Sequence, residues 1–306
     1  MAAPAPPAVP LASPQASTPK TPARAPGDVE LPAGTAFDPA TVYEVAREGL
    51  PRVVILAGEQ RSGKTTLIAS LYELFQEGVV GRFSFAGSKT LPAFEERCHD
   101  ARMTSGREMP DTERTKPGEG FRFLHLALCD RDGSSRTNLL LGDMSGELYD
   151  AVRDSSDECA KYEFLRRADH LVVMLNGAKL PDNNHAETYA HARGVVRSLL
   201  DADVLRAHTH VTLLTTKWDL IVRAGDRAQA RVAELEESFR TTFASKLPLV
   251  HFAHVAARPT NSDLDFAYGL DVLLGAWMDA AGLAPSPRLD VVPSEREFDR
   301  FVGTRP

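Results

Sequence analysis

"GEQRSGKTT" (residues 58–66) follows directly on the apolar run "RVVILA" (52–57). Gly58, Gly63, Lys64 and Thr65 fit the spacing G-x-x-x-x-G-K-[ST], and the apolar run supplies the strand that such a loop requires in front of it. The two glycines let backbone N–H groups curl around a β-phosphate, and the helix that follows adds its positive N-terminus. Lys64 then reaches the β- and γ-oxygens, while the Thr65 hydroxyl is placed for Mg2+. Arg61 and Ser62 inside the loop and Thr66 after it complete the phosphate-binding set. The loop predicts a bound nucleoside triphosphate. It selects neither the base nor the fate of the γ-phosphate.

Outward from the loop the chain alternates strands and helices. Ile68, Leu71, Tyr72 and Phe75 recur at helical spacing and predict a helix over 64–76. "FRFLHLAL" (121–128) and "TNLLLGD" (137–143), joined by the turn-rich "CDRDGSSR", predict an antiparallel hairpin. Further strands are expected over 170–178, 210–219 and 249–257, and further helices over 185–200, around Val232 to Leu247, and over 271–282. This order calls for an α/β fold, a mostly parallel sheet with one antiparallel hairpin and helices on both faces. Ligands in such sheets sit at the carboxyl ends of the strands.

Two more polar signals fall at such ends. In "LLLGDMSGE" (139–147), Asp143 closes a strand and Gly146 follows three residues later. An acid there can hold Mg2+ through water beside the phosphate loop, and Gly146 can offer its N–H to the γ-phosphate. In "TTKWD" (215–219), Asp219 presents two carboxylate oxygens that match the paired N1–H and N2–H2 donors of guanine, a pair that adenine lacks. The aliphatic stem of Lys217 can lie over the purine ring.

With "GEQRSGKT", "DMSG" and "TKWD" in this order and the hairpin between the first two, the chain resembles the TRAFAC-class GTPases, the Ras-like and translation-factor G domains, over about residues 50–283. The segment "FAGSKTLPAFEERCHDARMTSG" looks like the insertion of bacterial double-GTPase proteins of conflict-system type, with an extra strand in "VGRFSFAGS" and a helix from about 91 to 104. The resemblance implies a P-loop G domain that binds GTP and GDP, uses Mg2+, hydrolyses GTP and switches an unidentified protein effector through two segments, near 108–118 and 143–158. It puts the backbone N–H of Ala257, in "VAAR", against guanine O6, although Ala256 stands where the family has Ser. Thr216 stands where Asn is more usual. The switch I threonine that closes over Mg2+ is Thr112 or Thr115 of "PDTERTKPG", with Thr115, closer to the next strand, preferred. The residue after D-x-x-G is often a Gln that orients the attacking water; here it is Glu147, which accepts but does not donate, so intrinsic hydrolysis is expected to be slow. Lys64, Thr115 and Glu147 are thus the catalytic candidates, and Thr65, Thr115 and Asp143 the metal ligands. A scaffold that holds nucleotide without turnover and a P-loop nucleotide or small-molecule kinase are the rival readings; the kinase gives "TKWD" no role.

The flanks differ in composition. Residues 1–36 are rich in Ala, Pro, Ser and Thr and predict a disordered leader, and 284–306 form a polar tail, leaving a G domain over 37–283 with its insertion at about 77–110. Across 306 residues the formal net charge is −7, which disfavours broad binding to nucleic acid or anionic lipid. No stretch approaches the ~20 apolar residues of a membrane helix, so no direct membrane insertion is expected. Cys98, Cys129 and Cys159 are odd in number with no C-x-x-C pair, which suits a reducing cytoplasm. The nine His lack acidic partners at metal-ligand spacing, and no Ser-His-Asp order is visible.

Overall fold

A computed structural model describes residues 34–105 and 121–279, apart from 134, 183–184, 207 and 261–262. The expected leader up to residue 33 and the tail from 284 lie outside the described residues. The chain enters through a short helix, α1 (Tyr43–Ala46), and then β1 (Arg52–Gly58), α2 (Lys64–Glu77), β2 (Phe83–Gly87), α3 (Leu91–Ser105), β3 (Arg122–Asp130) and β4 (Arg136–Asp143). Two further helices, α4 (Gly146–Asp154) and α5 (Ser156–Ala160), lead to β5 (His170–Asn176) and α6 (His185–Asp201). After β6 (His210–Thr216) come α7 (Trp218–Ala224), α8 (Asp226–Phe243), β7 (Val250–His254) and α9 (Leu270–Asp279).

The strands form one seven-stranded sheet in the order β2-β3-β4-β1-β5-β6-β7. β4, β1, β5, β6 and β7 are parallel, and β3 is antiparallel to both of its neighbours. The expected β3–β4 hairpin is therefore joined by a second antiparallel pairing, through the insertion strand β2. Since β2 reverses β3 as β3 reverses β4, a single strand runs against six.

Period two decides which residues go where. On β1, Val53, Ile55 and Ala57 enter one apolar layer with α4, α6, α7 and α8. Val54 and Leu56 enter the other, with α2, α3 and α9. A strand buried on both faces reads as an unbroken apolar run, which is why "RVVILA" shows no alternation. β5 repeats the pattern, with every residue buried.

Several boundaries move for local reasons. The stretch read as a strand to residue 219 ends at Thr216, because Lys217 takes a left-handed conformation (φ 51°) that no strand accommodates and α7 starts at Trp218. The strand expected to 257 ends at His254, and the following residues turn back so that Ala256 bridges Tyr268. The insertion packs on α2 through Phe94, stacked on Tyr72 with ring centroids 5.2 Å apart, and through the buried Cys98. On the leader side of the expected boundary, the Gly34 carbonyl accepts from Ala93 N–H at 3.1 Å. Phe37 exchanges two backbone bonds with Phe123, of 2.9 and 2.8 Å. Among the described residues no helix is long and apolar enough to cross a membrane.

Candidate functional site

β1 delivers the chain into the phosphate loop at its carboxyl end. Gly58 is the last residue of β1. The turn beyond it is closed by Ser62 N–H on the Glu59 carbonyl at 3.2 Å. Arg61 (φ 62°) and Gly63 (φ 96°) are both left-handed, with Ser62 between them. Alternation of backbone hand turns successive N–H groups into one concavity suited to an anion. Gly63 also caps α2, and only glycine holds such a φ without strain. Ser62 is fully buried, and Thr65 and Thr66 are half-buried in the first turn of α2.

Lys64 is 8% exposed. Its ammonium donates to the Gly58 carbonyl and, at 3.1 Å, to the Glu59 carbonyl. Burial pulls its pKa down, and the charges of Asp143 and then Glu59 act against that pull. Asp143 ends β4, in register with Leu56 of β1. It is 5% exposed, and its buried Oδ1 has no hydrogen-bond partner. Burial raises its pKa, opposed by Lys64 and then by Arg97 of α3.

These residues fit Mg2+. Asp143 offers a buried carboxylate oxygen with no hydrogen-bond partner, and Thr65 at the start of α2 a hydroxyl, both hard oxygen donors of the kind Mg2+ takes. Among the described residues no three His, Cys, Asp or Glu cluster as a metal cage.

Beyond Asp143 the chain turns into α4. Met144 N–H donates to the Leu56 carbonyl of β1 at 3.2 Å, and Ser145 caps the helix by accepting from Leu148 N–H at 3.2 Å. Gly146 lies beneath the phosphate loop: a Cβ there would come 2.5 Å from Gln60 Cγ and 3.1 Å from Gln60 N. A side chain there would force Gln60 to move. Glu147, one residue on, is exposed.

The opposite end of the loop meets β6. The Thr216 hydroxyl donates to the Ser62 carbonyl at 2.7 Å and lies 3.0 Å from the Leu175 carbonyl, so it ties β5, β6 and the phosphate loop together. Lys217 is half-buried; burial lowers its pKa, with Glu59 and Asp219 opposing. Asp219 is 2% exposed, and its Oδ2 accepts from both the N–H and the hydroxyl of Thr260, each at 2.9 Å. Ala257, half-buried, sits in the same loop as Thr260, and Arg258 beside it grips both Glu73 oxygens of α2 at 2.7 Å.

The expected residues of the phosphate loop, of D-x-x-G, of "TKWD" and Ala257 therefore stand at the carboxyl ends of β1, β4, β6 and β7. Thr112 and Thr115 lie outside the described residues. Sequence reasoning missed Thr260, Arg258 and Gln60. It also missed Lys179, whose ammonium pairs with Glu59 at 2.8 Å, and Asn176, whose amide donates to the Arg61 carbonyl at 3.3 Å. Of these only Asn176 carried a signal, a polar residue closing the buried run "HLVVMLN".

No curated protein matches the chain. Among solved structures it is similar to the S. cerevisiae Ski7 GTPase-like domain bound to GTP, at 15% identity and a TM-score of 0.42, covering 79% of this chain and 53% of that one. The same domain bound to GDP and inorganic phosphate gives 14% and 0.42, with 78% and 52% covered. The chain thus spans about half the length of these structures. A family model, Double-GTPase 2, matches residues 52–278, from the first residue of β1 to the last turn of α9. That span holds the phosphate loop, the Asp143–Gly146 turn and the Asp219–Thr260 contact, and the chain belongs to the Double-GTPase 2 family of P-loop GTPases.

Proposed function

We propose that the protein binds GTP with Mg2+, hydrolyses it slowly, and uses the difference between GTP and GDP to set its contact with a protein partner. The observation that carries this reading is the Asp219 carboxylate, buried at the end of β6 and oriented by Thr260. A carboxylate offers about four lone-pair sites. Thr260 takes two of them on Oδ2, which leaves acceptors for the N1–H and N2–H2 edge of guanine. The Thr216 bridge supports placing that edge at a fixed distance from the phosphate loop.

In this reading the loop amides and the N-terminus of α2 receive the β-phosphate, and Lys64 exchanges its two carbonyl partners for phosphate oxygens. Thr65 and Asp143 would hold Mg2+, which when bound neutralises charge developing on the β- and γ-oxygens. Gly146 offers its N–H to the γ-phosphate from the start of α4. Loss of that phosphate would free α4 and α5, the switch II side, so the effector is expected there; the switch I segment near 108–118 lies outside the described residues. An odd number of cysteines with no C-x-x-C pair supports a reducing compartment such as the cytoplasm. The exposure of Glu147 favours a second reading, nucleotide held without turnover.

One pair of measurements separates them. Calorimetric titration with GTP and ATP should show GTP at least about tenfold tighter, roughly 1.4 kcal/mol. Single turnover of γ-labelled GTP should release phosphate at or below the ~10⁻⁴ per second scale of an unassisted small GTPase. Equal affinity for ATP ends the guanine reading, and tight GTP binding with no phosphate release leaves the scaffold.

A further inference from the structure

We infer that Gln60, from the phosphate loop itself, orients the water that attacks the γ-phosphate; the inference rests on the hydrolysis proposed above. Gln60 is the first corner residue of the Glu59–Ser62 turn and is exposed. Its side chain passes over Gly146, with Cγ 2.5 Å from the point a Cβ on Gly146 would occupy, and its backbone N and Cα lie 3.1 and 3.4 Å from the same point. It therefore leaves the loop towards the Asp143–Gly146 turn, while Glu59 pairs with Lys179. A side chain seated over Gly146 lies on the γ-phosphate side of the loop, because Gly146 is the residue whose N–H is read as meeting that phosphate.

The chemistry of the amide fits the task. In-line hydrolysis forms a bond from the water oxygen to the γ-phosphorus and breaks the bond from that phosphorus to the β–γ bridging oxygen. The bridging electron pair stays on GDP, and the water's proton ends on the released phosphate. A residue that aligns this water gains from accepting its hydrogen bond while donating to a γ-oxygen. Glutamine has one acceptor and two donors on a single planar group, whereas an ionised glutamate only accepts. Glu147 is thus of the wrong type at the expected position, and Gln60 is of the right type, in contact with the residue immediately before it. Glycine at 146 suits the same contact, since a side chain there would displace Gln60.

The test compares full-length wild type with Gln60→Ala, Gln60→Glu and Gln60→Gly, measuring GTP affinity and single-turnover cleavage. Expected is a loss of about 10²-fold in cleavage rate for all three, the lower end for a positioned group in proton transfer, with affinity for GTP within about threefold for Ala and Gly. Gln60→Glu keeps the contact with Gly146 and removes the donor, so a purely structural role would leave its rate at the wild-type value. A Gln60→Gly protein faster than wild type would mean that the side chain obstructs the site, and the inference falls. An unchanged rate in Gln60→Ala, or a rate loss matched by an equal loss of affinity, overturns it as well while leaving the GTPase reading intact. Wild type that binds GTP and never cleaves it removes this inference together with the hydrolysis reading.

Discussion

At the scale of single residues, base selection rests on a few polar atoms. Asp219→Asn should weaken GTP binding by more than about tenfold and improve binding of xanthosine triphosphate, since Asn presents one acceptor and one donor. Titration with both nucleotides checks it, and unchanged GTP affinity removes the guanine assignment. Thr260 is predicted to matter through Asp219 alone. Thr260→Val keeps the backbone donor and the side-chain shape but deletes the hydroxyl, and a hydrogen bond to a charged group is worth about 1.5–3 kcal/mol. GTP should bind about tenfold more weakly while any residual ATP binding stays as it was. Thr260 was invisible in the sequence because nothing in the spacing from Asp219 to Thr260 marks the two as neighbours. A loop beyond β7 brings them together, and loop geometry leaves no periodic trace.

At the scale of elements, "RVVILA", the helix after it and the hairpin were legible because period and length separate buried strands from amphipathic helices. α7 was not. Its seven residues, Trp218–Ala224, are bounded by a left-handed Lys217 and by Gly225 (φ 83°), and they follow a β-rich run without a Ser, Thr or Asn cap. Legibility of the site followed the same division: residues inside a spaced motif were found, and those that reach it from another element were not. Arg258 is the plainest case, an arginine that fastens the Ala257–Thr260 loop to α2 through Glu73. Both side chains are about one-fifth exposed, so the pair is partly screened. Arg258→Ala should cost about 1 kcal/mol of stability and quicken GTP release several-fold, read by thermal melts and stopped-flow. The double variant with Glu73→Ala should be no worse than either single, the signature of one shared contact.

At the scale of the whole molecule, the end of the sheet remote from the site carries its own chemistry. His170, His210 and His251 sit side by side on β5, β6 and β7; the first two rings have centroids 4.9 Å apart, and the second and third stack at 5.2 Å. His170 is 2% exposed. Burial first, then the charges of His210 and Arg52, push its pKa down to about 3. The unfolded chain then binds a proton that the folded one refuses, so stability is full above about pH 6.5 and falls as pH drops towards 3. Each such group contributes a slope of ~1.4 kcal/mol per pH unit. Urea midpoints at pH 7 and pH 5 should show a loss of about 2 kcal/mol from this residue, which His170→Leu should remove; equal pH dependence in both proteins would mean that His170 titrates normally.

The place of β1 in the sheet also sets a timetable for synthesis. The strand that carries the phosphate loop pairs on one side with β4 and on the other with β5, both made much later in the chain. The hydroxyl that fixes the loop to its neighbours, on Thr216, is made later still. A nascent chain that has left the ribosome only as far as β3 holds the loop without either flanking strand. Such distant pairing delays the transition to the folded state. A finished phosphate loop is therefore expected only after translation has passed β6. Nucleotide added before that point is then expected to meet a loop without its flanking strands and to leave the first half of the fold unchanged.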